Sequence, residues 1–266
     1  VRKLTYPALL VLLGAALLRI TVGSEVYLRY VKESLHPLVV LSGVVLLGLG
    51  LTGLVRELRA LLRQPVRHYR RDEHGTYRVE AHAAEHDHDE DEHGHGHGAG
   101  PRIAWLLGAP ALALLFFAPP ALGSYTANRD GAAATVERAD YRELASGPVT
   151  PMSMSEFIGR SLHDSASLTG RQVVLTGFVT KGGAGTDWHL NRLTVNCCAA
   201  DARPLRVAVH GQDAPALDSW VEVTGRWRFA QLDSRSPVPH LDVLQVRTVP
   251  APRNPYADRA PVVERS

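Results

Sequence analysis

The stretch WHLNRLTVNCCAADARPLRVAV, Trp188–Val209, decides how the rest of this chain is read. Apolar residues alternate into it as Leu193, Val195 and Cys197, and out of it as Leu205, Val207 and Val209, the period of two that a half-buried strand requires. Between these runs, Ala200–Arg203 ahead of Pro204 has turn composition. The predicted unit is a hairpin whose tip carries both cysteines of the chain, Cys197 and Cys198, beside the carboxylate of Asp201. Adjacent cysteines cannot staple distant segments, which excludes a disulfide scaffold.

Working outward, five strand-like runs are expected at 171–180, 188–197, 204–210, 219–229 and 240–249, separated by Gly-, Asp- and Pro-containing turns. Gly177 and Gly225 fall inside strands, where a closed sheet needs bends or bulges. Short connections imply antiparallel pairing, so the expected fold of residues 152–250 is an all-β, OB-like small barrel, with a sandwich fragment as the alternative. Trp188, Trp220, Trp227 and Phe229 are assigned mostly to the core. The formal net charge of +2 gives no electrostatic case for nucleic acid, and none is expected as a partner. Before the barrel, Ser153 is placed to N-cap a short helix ending near His163. Residues 123–151 read as a linker with a short helix around 136–144, and 251–266 as a disordered tail.

The first half of the chain is membrane-like. Apolar runs at about 4–20, 36–55 and 103–122 are each near the ~20 residues that span a bilayer. A cleaved signal peptide is the alternative for the first, but Arg19 and Glu25 interrupt the region where a cleavage site would lie, favouring a retained helix. Gly43, Gly48, Gly50 and Gly53 would let a neighbouring helix approach the second run closely, and Pro110 should kink the third. Arg56, Arg59, Arg63, Arg67, Arg70, Arg71 and Arg78 follow the second span, whereas only Arg29 and Lys32 lie between the first two. By the positive-inside rule the loop at about 68–98 is cytoplasmic and the C-terminal domain extracytoplasmic. The expectation is a multi-pass protein of a bacterial cell membrane, helical in its N-terminal region.

Inside that loop, HAAEHDHDEDEHGHGHG at 82–98 interleaves His82, His86, His88, His93, His95 and His97 with carboxylates. Imidazole and carboxylate donors suit Zn²⁺ or another borderline metal, and so mobile a composition would wrap an ion without forming a preset cage. A solvated linker is the alternative. Three readings stay open for the cysteine pair. On a regular strand Cys197 and Cys198 point to opposite faces, one thiol core and one surface. Turned to one side at the strand end, they form a zinc or other soft-metal site with Asp201, with His189, His210 or His240 as a further ligand. A vicinal disulfide is the third. Asp201 could alternatively cap the turn before Arg203-Pro204.

The segments GRQVVLTGFV, LTVNCCAADA and DSWVEVTG together resemble the YcgQ family of bacterial membrane proteins. The resemblance extends to N-terminal spans with an intervening acidic-histidine loop. It implies a subunit of a two-component permease working beside a multi-span permease partner, with a suspected link to zinc. The expected role is therefore a non-enzymatic transport accessory whose cysteine pair handles zinc or another soft cation. The alternatives are an extracytoplasmic thiol-redox protein, disfavoured because no Cys-x-x-Cys opens a helix, and a metal sensor or structural partner.

Overall fold

A computed structural model describes residues 2–62, 69–71, 77–79, 109, 112–113, 116, 120–129, 136–144, 147–183, 187–230 and 238–262. The histidine-rich stretch and most of the third apolar run lie outside the described residues. The chain divides into two compact units, residues 1–19 with 39–117 and residues 20–38 with 118–266.

Two long helices dominate the N-terminal part: α1, Arg2–Val22, and α2, His36–Leu62. Both are long and apolar enough to cross a membrane, and they are the two such helices among the described residues. They run antiparallel at close range. A Cβ on Gly14 would lie 2.6 Å from the Leu47 backbone nitrogen, and one on Gly50 would lie 2.7 Å from that of Val11. Glycine is required at both places because backbone meets backbone, whereas Gly48 has nothing near it. The rest of α2 presents Leu38, Leu41, Val44, Val45 and Leu49 to the outside, a composition suited to lipid. The short strands β1, Tyr69–Arg71, and β2, Tyr77–Val79, pair antiparallel within the predicted loop.

The second unit is built on a six-stranded mixed sheet. Its strands are β3 Val149–Pro151, β4 Gln172–Lys181, β5 Trp188–Thr194, β6 Arg203–His210, β7 Trp220–Arg228 and β8 His240–Thr248. In order they run β3-β4-β5-β6-β8-β7, and β7 pairs again with β4, so the pairings of β4 to β8 form a closed cycle. The five expected strands are all present within a few residues of their predicted bounds. Antiparallel pairing throughout was expected, but β6–β8 and β3–β4 are parallel. The glycines act as their positions suggested. Gly225 sits at a register shift where a Cβ would lie 2.6 Å from the Asp242 carbonyl, and a Cβ on Gly177 would lie 2.5 Å from that of Asn191.

Alternate residues fill the interior: Val173, Leu175 and Val179 from β4, Trp188 and Leu190 from β5, Leu205, Val207 and Val209 from β6, Val221 and Val223 from β7, and Leu241 from β8. Each such side chain removed from water contributes about 1.5–3 kcal/mol before entropy is counted. Helix α4, Met154–His163, closes this core with Met154, Phe157 and Ile158. Ser153 caps it as predicted, its hydroxyl accepting from the Glu156 amide at 3.1 Å. Trp188 is fully buried and Trp220 and Trp227 partly so, but Phe229 is exposed, contrary to its core assignment.

The segments expected to be irregular carry more structure than their composition showed. Ser124–Arg129 forms a short helix, α3, and 149–151 pairs with β4; three-residue strands are too short to show a period. Residues 136–144 are not helical. The Arg142 carbonyl accepts from the Arg160 guanidinium at 2.7 Å, and Val136 and Leu144 pack separately on the core. Residues 251–262 are ordered where a disordered tail was expected. The Asp258 carboxylate accepts from the Met154 and Ser155 amides at the start of α4 (2.9 and 2.7 Å), and the Tyr256 hydroxyl donates to the Arg29 carbonyl at 3.0 Å.

Candidate metal centre

Regular pairing of β5 with β6 ends at Thr194↔Arg203, three residues earlier than the alternation predicted. From Asn196 the chain bends, and a single turn of 3₁₀ helix at Ala199–Asp201 returns it to β6. The bend is held by one side chain. Asp201 Oδ1 accepts from the Asn196 amide and Oδ2 from the Cys197 amide, each at 2.8 Å. Asp201 thus caps with both oxygens, on the Asn196 and Cys197 amides upstream of the turn that precedes Arg203-Pro204.

Because the bend breaks strand geometry, the two sulfurs do not diverge. Cys197 is exposed and Cys198 half-buried, so neither is the buried core thiol of the first reading, and both are free thiols in this structure. Their Sγ atoms lie 3.6 Å apart. A Cys197 sulfur, a Cys198 sulfur and an Asp201 oxygen all fall within 4.8 Å of one another, the one such group of three donors among the described residues. Two Zn–S bonds of ~2.3 Å at a tetrahedral angle would place the sulfurs about 3.8 Å apart. The pair is thus close to ligating separation, and the carboxylate supplies a hard third donor that keeps lone pairs beyond its amide bonds.

The electrostatics follow from the same contacts. The Cys197 thiol hydrogen-bonds the Asp201 carboxylate first and the Cys198 sulfur second, and this raises it to about 11. Asp201 is held below its ordinary value chiefly by that thiol, then by the Cys197 and Asn196 amides. Cys197 is thus held protonated at neutral pH, and any cation bound through its sulfur would have to displace that proton.

A second partner of the thiol bend was not visible in the sequence. The connector between α1 and α2 lies against it as a strand edge: Val31 bridges Cys198, the Lys32 amide donates to the Cys197 carbonyl at 3.0 Å, and the Ala199 amide donates to the Tyr30 carbonyl at 2.7 Å. Next to this contact, Val31, Lys32, Ser34, Val195 and Tyr256 line an open cavity of about 450 Å³. Glu25 pairs with Arg253, and Glu33 with Arg259 at 3.3 Å, which ties the C-terminal segment to the connector. No local pattern could reveal this, because the contacting residues are some 165 positions apart in the chain.

The remaining predicted ligands divide. His82, His86, His88, His93, His95 and His97 lie outside the described residues. His189, His210 and His240 do not reach the thiols: they sit at the far end of the β5–β6 ladder, where His189 pairs with Ala208. The seven steps from Arg203 to His210 span roughly 23 Å at the rise of an extended strand, so none completes the cysteine site.

A pair of membrane-compatible helices joined to a mixed β-sheet domain defines the class. Residues 148–258 match the family profile described as the DUF1980 C-terminal domain. The match covers the whole sheet domain, including α4, the thiol bend and the Asp258 contact. No curated protein and no solved structure matches the chain.

Proposed function

We propose that this chain is a membrane-anchored, non-catalytic subunit of a two-component permease, and that its sheet domain captures zinc or another soft cation at Cys197, Cys198 and Asp201. The observation that carries the reading is the convergence of two thiols and a carboxylate within 4.8 Å at near-ligating sulfur separation. The DUF1980 match supports membership of the YcgQ family, since YcgQ-like proteins make up that family. The closed cycle of five strands with parallel β6–β8 supports the OB-like barrel. Two antiparallel helices with an apolar outer face support anchoring in the cell membrane, and the arginine-rich segment after α2 supports a cytoplasmic loop and an extracytoplasmic sheet domain. A thiol held protonated by a carboxylate is poorly set up for redox exchange.

The test uses the full chain in detergent with tris(2-carboxyethyl)phosphine present. Added Zn²⁺ should protect Cys197 and Cys198 from alkylation, with protection weakening as pH falls because protons compete for sulfur. Cys197→Ser should lose the protection at Cys198. Alkylation that proceeds unchanged under zinc would refute the site, whatever metal the 82–98 segment binds.

A further inference from the structure

Where the sulfurs of Cys197 and Cys198 point is set by the peptide planes around them, and those planes are hydrogen-bonded from two sides. From inside the bend, Asp201 takes the Cys197 amide on its carboxylate at 2.8 Å and donates its own amide to the Cys198 carbonyl at 3.1 Å. From outside, the segment between α1 and α2 holds the next two groups. The Cys197 carbonyl accepts from the Lys32 amide at 3.0 Å, and the Ala199 amide donates to the Tyr30 carbonyl at 2.7 Å, with Val31 in an antiparallel bridge to Cys198. That edge is itself tied down. Single turns of 3₁₀ helix, Val26–Arg29 and Glu33–Leu35, flank it. The Val31 amide donates to the Tyr27 carbonyl and the Leu35 amide to the Lys32 carbonyl, each at 2.9 Å. The Arg29 carbonyl accepts from the Tyr256 hydroxyl at 3.0 Å, and Glu33 accepts from the Asn254 amide group at 3.2 Å beside its pair with Arg259.

We propose that Tyr30–Lys32 is a positioning element of the thiol site, so that convergence of the two sulfurs and the conformation of the α1–α2 connector form one equilibrium. The inference rests on the thiol pair being the binding site proposed above. With its peptide planes held from both sides, the bend presents both sulfurs already turned together, and a ligand that needs the pair is spared the cost of ordering them. Such coupling is reciprocal: what the connector contributes to binding, the bound ligand returns to the connector's hydrogen bonds. A single 3₁₀ turn separates Lys32 from the start of α2, so occupancy of the thiols is registered where that helix begins.

Phenylarsine oxide is the probe. It condenses with two converged thiols, forming two As–S bonds and releasing one water with no change of oxidation state. In the full chain in detergent, with tris(2-carboxyethyl)phosphine present, loading should slow hydrogen exchange at the Lys32 and Ala199 amides while the amides of β7 keep their rates. Lys32 has φ −60° and ψ 138°, which proline adopts, and Val31 before it is extended in its bridge. Lys32→Pro therefore deletes the amide donor without straining the backbone, and should weaken arsenical binding about three- to tenfold, the worth of one hydrogen bond. Lys32→Ala keeps the donor and should bind as the wild type does. Should the proline variant fail to fold, hydrogen exchange in the wild type decides the matter. Unchanged exchange at Lys32 and Ala199 on loading, wild-type affinity in a folded Lys32→Pro protein, or equal weakening in Lys32→Ala would overturn the proposal. Zinc that leaves the wild-type thiols open to alkylation would refute the metal reading, whereas the arsenical, which reports convergence and not zinc, still decides this one.

Discussion

Replacing Asp201 with Asn should make Cys197 more reactive, although the thiol itself is untouched. In the wild type the Asp201 carboxylate, with the Cys198 sulfur as the smaller influence, raises the Cys197 thiol to about 11 from an ordinary 9.0. Only the thiolate attacks an alkylating agent, and a raised thiol pKa means reactivity appears only as pH climbs towards that value. At pH 8 a thiol of pKa about 11 is ~0.1% ionised and one of 9.0 about 9%, so roughly ninetyfold is the upper limit of the gain, because the Cys198 sulfur still raises the thiol in the variant. A less basic thiolate is a weaker nucleophile by ~0.4–0.5 log unit per pKa unit, so roughly six- to tenfold of that limit is given back and the net gain is at most about tenfold. Iodoacetamide alkylation timed by quenching, with fragment ions assigning the adduct to Cys197, measures it directly. The pH profile should level at a lower pH in the variant than in the wild type, which keeps rising towards about 11. Asn offers one oxygen where Asp201 uses two, so thermal unfolding must first show that the domain is folded. An equal or slower rate in a folded Asp201→Asn protein would refute the claim that this carboxylate controls the thiol.

Two further perturbations bear on the frame around the site. Asp258→Ala removes the acceptor of the Met154 and Ser155 amides at the start of α4 and the carboxylate 3.8 Å from the buried Arg192 guanidinium; a loss of about 2–4 kcal/mol is expected in denaturant unfolding, against under about 1 for Asp213→Ala on the surface. Gly50→Ala forces a methyl against the Val11 backbone and should cost about 1–3 kcal/mol in detergent, whereas Gly48→Ala, with open space around it, should be neutral or slightly stabilising. Equal effects of the two glycine changes would show that α1 and α2 do not meet as described.

The elements that repeat a period were legible in the sequence. Each of the five main strands is long enough to show its alternation, and the capped helix after Ser153 announces itself by Ser followed three residues later by Glu. Gly177, Gly225 and Gly50 mark where backbone comes too close for a side chain, as the sequence suggested, but Gly48 has open space around it and the contact at Gly14 was not legible. The chemistry of the hairpin tip was legible only as residue types. Alternation predicted that Cys197 and Cys198 would diverge. The bend held by Asp201 turns both sulfurs together, because two amide hydrogen bonds to one carboxylate redirect the chain where its pairing with β6 has ended.

What sequence could not supply was every pairing between distant segments. The closure of β7 on β4 and the parallel fit of β8 beside β6 depend on main-chain hydrogen bonds that any residue can make, so they leave no compositional trace. The same holds for the Tyr30–Lys32 edge on the thiol bend and for the separation of His189, His210 and His240 from the cysteines. Sequence set down the donors, cysteine, aspartate and histidine alike. Register, which counts residues along paired strands and is fixed only when the whole sheet forms, sorted them to opposite ends of the same ladder.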